Sequence, residues 1–255
     1  LLIAFPLLWM LITSVKPAAE LFSTSPTLLP KAITFEHYAR VLQDTPFLQY
    51  FANSMILATS TTVVVISISV LGAYSLVRFK TGGENLAVWI ISQRMMPPVA
   101  IVFPLFLLYV WMGWVDTYFG LILLYTAFSL PYVIWMMRGY IEDIPLELEE
   151  SALVDGCTRW EVLWKVVLPM ARSGLFATAV FTFIFAWNDF LFALVLTRTE
   201  VTTYTVQVTH YFGGQSNFWA KIAAMSVLGT IPVFFTVAVM QRYLVRGISM
   251  GAVKG

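Results

Sequence analysis

Long apolar runs separated by short polar breaks dominate this chain. A bilayer crossing takes roughly 20 mostly apolar residues, and the pattern predicts six helical crossings. Residues 1–15 are the end of the first. The second covers 51–77, where Thr59, Ser60, Thr61, Thr62, Ser67 and Ser69 suit packing between helices better than lipid contact. The third covers 86–109 and is interrupted at Pro97-Pro98 and again at Pro104. The fourth covers 118–137 with Pro131 inside it, the fifth 171–196 and the sixth 222–243. This predicts an all-α, polytopic membrane protein, with residues 1–255 forming one domain and no separate soluble part. The chain opens inside an apolar run with no charged segment before it, so residues 1–11 read as part of a truncated span and not as a signal peptide.

The polar breaks differ in kind. Residues 16–50 carry Pro17, Pro26, Pro30 and Pro46, with a short surface helix predicted near 35–42. Residues 78–84 make a tight basic loop, and Trp111 and Trp114 mark a short interfacial turn. Residues 197–220 are polar and contain glycine, and 245–255 form a short tail.

The break at 142–169 stands apart. It holds Glu142, Asp143, Glu147, Glu149, Glu150, Asp155 and Glu161, half of the 14 acidic residues in the chain. Pro145 suits a first helical position, where its missing N–H costs nothing. The glutamates that follow fall where a helix dipole favours negative charge. Asp155-Gly156 offers a left-handed stop, and Thr158 with Glu161 reads as a capping box opening a second helix. Trp160, Leu163, Trp164, Val167 and Leu168 recur at helical spacing, which predicts one apolar face.

Composition agrees with the membrane reading. The chain is 59% apolar and 11% charged, against about 45–50% and about 25% in soluble domains, and its mean hydropathy is +0.81. A net charge of +1 without a basic patch gives no sign of a nucleic-acid partner. The single cysteine, Cys157, excludes an internal disulfide framework. Arg78, Lys80, Arg138, Arg159, Lys165, Arg172, Arg242, Arg246 and Lys254 fall on one side of the predicted spans. Lys16, Lys31, Arg40, Arg198 and Lys221 fall on the other. The positive-inside bias therefore puts the acidic loop and both termini in the cytoplasm. No phosphate-binding G-x-x-x-x-G-K-[ST] loop and no coherent nucleophile–base pair occur, so this chain reads as neither an ATPase nor another enzyme.

The acidic loop resembles the cytoplasmic signature loop of ABC-transporter permeases, E-A-A-x-x-x-G-x9-I-x-L-P. It reads here as Glu150-Ser151-Ala152, Gly156, Val166, Leu168 and Pro169, with Ser151 and Val166 replacing Ala and Ile. The stretches around Arg94 to Pro98, Trp187 to Phe190 and Gly247 to Gly255 extend the resemblance to the carbohydrate-uptake permeases over nearly the whole chain. The resemblance implies half of the translocation pathway of a binding-protein-dependent importer for a sugar or sugar-like solute, in a bacterial inner membrane or an equivalent cell membrane. It implies a second homologous permease chain, a dimer of ATP-binding subunits that carries the ATP and Mg, and an extracytoplasmic solute-binding protein received on residues 16–50 and 197–219. The first short helix would sit in a groove of the ATPase. Ser151, Ala152 and Gly156 would allow close approach there, and Glu150 and Asp155 would pair with donors on that subunit. Gly251 and Lys254 in the tail would reach the ATPase dimer.

Two polar sites fall within the spans. Arg94 reads either as snorkelling or paired to a neighbouring helix, or as lining the solute path. Asn188-Asp189 reads as pathway lining or as an interhelical bond, and Phe185, Trp187 and Phe190 either as surfaces for stacking on sugar rings or as ordinary core. Two other readings stay open, an importer of amino acids or phosphate esters and a secondary transporter. A membrane-embedded enzyme would need a cluster of His and acidic residues at membrane depth, which the sequence lacks. A secondary transporter would carry ion-coupling residues in its spans, which Arg94 and Asp189 alone supply thinly.

Overall fold

The computed structural model describes residues 4–21, 23, 27–211 and 217–251, without side-chain detail at 217–218 and 240–251. The described elements are helical. In order they are α1 (Phe5–Ser14), α2 (Ala18–Leu21), α3 (Glu36–Asp44), α4 (Phe47–Arg78), α5 (Gly83–Ser92), α6 (Pro98–Met112) and α7 (Tyr118–Glu142). They continue with α8 (Leu146–Val154), α9 (Arg159–Val162), α10 (Leu168–Met170), α11 (Arg172–Asn188), α12 (Leu191–Leu196), α13 (Tyr204–Thr209) and α14 (Asn217–Gly251).

Three stretches are long and apolar enough to cross a bilayer alone: α4, α7 and Trp219–Val239 within α14. Two further apolar stretches are bent. Gly83–Met95 meets Pro98–Met112 at 88°, and α11 meets the segment Arg159–Met170 that leads into it at 78°. Three to five crossings are thus present among the described residues, against the six read from the sequence, and a sixth would rest on α1, ten residues long. The first bend follows from its prolines. A residue before proline is pushed out of the helical region, and both Met96 and Pro97 are extended, with ψ of 122° and 123°. Pro104, expected to interrupt the same span, lies inside the continuous α6.

Helix α4 lies along α7 and α11 and forms the centre of the bundle, while α14 covers α11, α1 and α3. Gly174 lets α7 and α11 approach closely: a Cβ there would sit 2.3 Å from the Tyr140 ring. In lipid, such close approach supplies the packing that water-driven burial supplies in soluble proteins. The serines and threonines of α4 divide between two roles. Thr61 and Ser69 are buried between helices, while the exposed Thr59 and Ser67 return their hydroxyls to the carbonyls of Met55 and Val63.

Apolar clusters occupy the two ends of the bundle. One gathers Leu57, Leu121, Trp187, Leu196 and Tyr204. The other gathers Tyr74, Met137, Ile141, Val162 and Leu163. The polar segment expected over 197–220 is not a surface connector throughout. Val201, Thr202, Thr203 and Tyr204 are buried, and α13 packs on α4 and α14. Helix α14 also runs on through Gly251, past the expected end of the last span.

The candidate coupling loop and translocation cavity

The loop that follows α7 is a pair of short helices. Pro145 is the N-cap of α8 and not its first residue, in the extended backbone that precedes the helix. The helix stops at Gly156, whose φ of +91° is a left-handed value that a side chain strains to adopt. A Cβ at Gly156 would meet nothing within 4 Å, so this chain requires the backbone angle there and leaves the space beside it open. The predicted capping box is present. Thr158 Oγ1 accepts from the Glu161 N–H at 3.3 Å, and Glu161 Oε2 accepts from the Thr158 N–H at 2.9 Å. A bond from Lys165, with those of Thr158, brings the exposed Glu161 carboxyl down to about 2.

The single apolar face expected on the second helix is overturned. Residues Leu163–Val167 form a π-helical turn, which holds an extra residue per turn and rotates the side chains after it. Val162, Leu163 and Val167 go into the core, while Trp160 and Trp164 stay exposed and meet edge to face at 5.8 Å.

Adjacent glutamates of α8 face opposite ways. Glu150 is exposed with Ser151, Asp155 and Gly156, while Ala152 is half-buried. The carboxylates of Glu150 and Asp155 have no hydrogen-bond or ion-pair partner among the described residues. Leu168 is half-buried and Pro169 exposed where the loop turns into α11. Glu149 is fully buried. Its Oε1 accepts from Arg78 Nε at 2.5 Å and its Oε2 from the Tyr74 hydroxyl at 2.9 Å. The Arg78 Nη2 also donates to the carbonyls of Ile141 and Ile144, at 3.0 and 2.8 Å. The sequence reading did not single out Glu149, Arg78 or Tyr74. The available signal was a basic residue at the end of a span with an acidic neighbour in the facing loop.

The intramembrane candidates separate into cavity and core. Arg94 and Asp189 line one cavity of about 280 Å³, together with Tyr125, Ser129 and Phe185. Arg94 Nη1 donates to the Phe128 carbonyl at 2.8 Å, beside the carbonyl that Pro131 leaves without its helical donor. The guanidinium also lies 5.4 Å from the centre of the Phe185 ring. Asp189 Oδ2 accepts from the Tyr125 hydroxyl at 2.9 Å and from the Ala193 N–H at 3.1 Å. It thereby caps α12 where the expected fifth span breaks. No ion pair joins Arg94 to Asp189 among the described residues.

Trp187 corrects the pathway expectation. It is 1% exposed, stacks on Tyr204 at 4.9 Å and donates its indole N–H to the Gly229 carbonyl at 3.0 Å. Its ring has no free face for cargo. Asn188 is exposed and returns its amide to the Ile184 carbonyl at 2.9 Å. Gly251 is the last residue of α14, and Lys254 lies outside the described residues.

A clamp closes the opposite end of the bundle. Asp116, in the turn between α6 and α7, accepts the backbone N–H groups of Arg198, Thr199, Glu200 and Val201 at 3.0–3.1 Å. Burial pushes its carboxyl up, but these four donors outweigh burial and hold it down at about 2. Asp116 was not anticipated from the sequence, because its partners lie more than 80 positions away.

A helical bundle with an apolar exterior, a cavity between its helices that carries Arg94 and Asp189, and an acidic hairpin suits the membrane subunit of a transporter. The chain belongs to the family of binding-protein-dependent transport system inner membrane components, whose family model matches residues 65–250. It is a permease subunit and not an enzyme. It is 34% identical over 261 residues to the trehalose/maltose transport system permease protein MalG of Thermococcus litoralis, covering 98% of this chain and 91% of that protein. It is 35% identical over 254 residues to the trehalose transport system permease protein SugB of Mycobacterium tuberculosis, covering 98% and 92%. Among solved structures, a chain of a bacterial ABC transporter involved in import of the acidic polysaccharide alginate superposes with a TM-score of 0.81 at 26% identity. That match covers 94% of this chain and 90% of the other.

Proposed function

We propose that this chain forms half of the translocation pathway of an ATP-driven importer for a sugar or sugar-like solute and takes its driving motion through residues 142–169. The observation that carries the reading is the outward face of α8. Glu150 and Asp155 present two exposed carboxylates without partners among the described residues, and Gly156 at the helix end has open space, a surface suited to basic or backbone donors of another protein. The sugar cargo is supported by the names of the relatives, which transport trehalose, maltose and alginate.

The partners of this reading are a second, homologous permease chain, an ATP-binding dimer holding ATP and Mg, and an extracytoplasmic solute-binding protein. In this reading the acidic loop and both termini face the cytoplasm, and the tail residues Gly251 and Lys254 would reach the ATPase. Solute passes the cavity at Arg94 and Asp189, with Phe185 at its wall.

Cells lacking the chain, offered labelled mono- and oligosaccharides beside amino acids and phosphate esters, test this. The expected result is loss of uptake of a saccharide, restored by the intact chain and not by Gly156→Trp. Loss confined to amino acids or phosphate esters would move the cargo to that class. Uptake that persists without the ATP-binding subunit would remove the importer reading altogether.

A further inference from the structure

The coupling helix is joined to the bundle by little besides one buried side chain. The close neighbours of α8 are α9 and the π-helical turn, while α4 and α7 approach its backbone much less. Ala152 and Leu153 add apolar contact. Glu149 supplies the polar link, with both carboxylate oxygens used: one by Arg78 and one by Tyr74, each at the cytoplasmic end of α4. Arg78 spends its remaining bonds on Ile141 and Ile144, at the end of α7. The second short helix reaches the same point. Arg159 lies over the Phe79 ring at 5.7 Å, and that ring meets Tyr74 edge to face at 5.9 Å.

We infer that Arg78, Glu149 and Tyr74 form a rigid bolt that makes α8, α4 and the end of α7 move as one body, so that displacement of α8 by the ATPase reaches the spans. The inference rests on the coupling reading above. Arg78 and Glu149 are positioning residues here, since neither is exposed to a partner. A planar guanidinium suits the task because it can hold a carboxylate and two carbonyls in fixed directions, which a lysine ammonium cannot.

An apolar replacement separates this role from simple stability. Replacing both members of a buried ion pair by hydrophobic residues commonly leaves folding intact or improved. Arg78→Met with Glu149→Leu should therefore assemble and melt like the parent while losing the directed bonds to α7. In a Cys157→Ser background, spin labels at Val154 on α8 and Leu71 on α4, both exposed, report the distance between the two helices. It is measured in the assembled transporter with and without adenylyl imidodiphosphate, a non-hydrolysable ATP analogue. A second label pair on the two ATP-binding subunits reports their closure.

With the bolt intact the α8–α4 distance stays fixed when the ATPase dimer closes. In the double variant it shifts by about 2 Å or more, the scale of helix displacements at subunit interfaces. A distance that changes in the bolted protein overturns the inference, as does one that stays fixed in the double variant. If that variant fails to assemble, the measurement on the intact protein still decides. Failure of the ATPase to associate with the chain at all would instead sink the coupling reading and leave a different signature.

Discussion

The Tyr125 hydroxyl donates to the Asp189 carboxylate at 2.9 Å, joining the middle of α7 to the break between α11 and α12. The same carboxylate caps α12 through the Ala193 N–H, and the Asp189 carbonyl accepts from Thr205 at 2.8 Å. One residue thus fixes where the fifth crossing ends and how the cavity wall is shaped. Asp189→Asn keeps an acceptor for both donors but removes the charge, whereas Tyr125→Phe removes one bond and keeps the charge. If charge in the cavity matters for passage, Asp189→Asn lowers the maximal uptake rate by roughly tenfold, a barrier change of about 1.4 kcal/mol. Tyr125→Phe would then lower it by less. Initial-rate uptake over a range of cargo concentrations checks this, and equal rates for Asp189→Asn and the parent would confine Asp189 to its capping role.

If α8 docks on the ATP-binding subunit as proposed, the open space at Gly156 is where added bulk should interfere. Gly156→Ala imposes a left-handed backbone on a side chain, which costs roughly 1–2 kcal/mol and should loosen the turn without blocking it. Gly156→Trp adds bulk where nothing of this chain stands within 4 Å. It should therefore insert into the membrane normally and fail to retain the ATP-binding subunit. Co-purification through a tag on this chain measures both. Retention of the ATPase by the Trp variant would place the contact elsewhere.

The parts of this site that were legible in the sequence are the ones built from local chemistry. Gly156 and the Thr158–Glu161 box act within four residues, and both appear where the residue types put them. Glu149 and Glu150 are adjacent and chemically identical, and only their placement around the helix decides which is buried. The partner that decides it, Arg78, is 71 positions away. The same limit governs Trp187, Asn188 and Asp189, three consecutive residues that end in the core, on the surface and at the cavity. The paired tryptophans mislead for another reason. Spacing puts Trp160 and Trp164 on one stripe with Leu163 and Val167, but it does not say which edge of that stripe meets the bundle, and the structure buries the Leu163 and Val167 edge.

The approach of α11 to α7 at Gly174 gives a stability prediction. A Cβ there would lie 2.3 Å from Tyr140 Cγ and 2.8 Å from its Cβ, so swinging the ring away cannot relieve the clash. Gly174→Ala should destabilise the bundle by about 1–3 kcal/mol, the usual range for overpacking. Adding Tyr140→Ala should recover part of that loss by vacating the space. Thermal melting of the detergent-solubilised protein reads both changes. A Gly174→Ala variant as stable as the parent would mean the helices part at little cost.

At the other end of the bundle, Asp116 has a φ of +59° and holds four N–H groups of the 198–201 segment. Asn tolerates the left-handed backbone better than most residues, so Asp116→Asn isolates the loss of charge from any backbone strain. Its carboxyl ionises at about 2 in the folded chain, below the value near 4 expected once unfolded. A lowered folded value means the stabilisation is complete above the unfolded value and is lost as pH falls through the folded one. The parent should therefore be more stable than Asp116→Asn at pH 7, by about 1–3 kcal/mol if the weakened bonds dominate. The gap should hold constant down to about pH 5 and narrow towards pH 2. Melting temperatures of the two proteins across that range provide the measurement. A gap that widened on acidification would assign the stabilisation to a group other than Asp116.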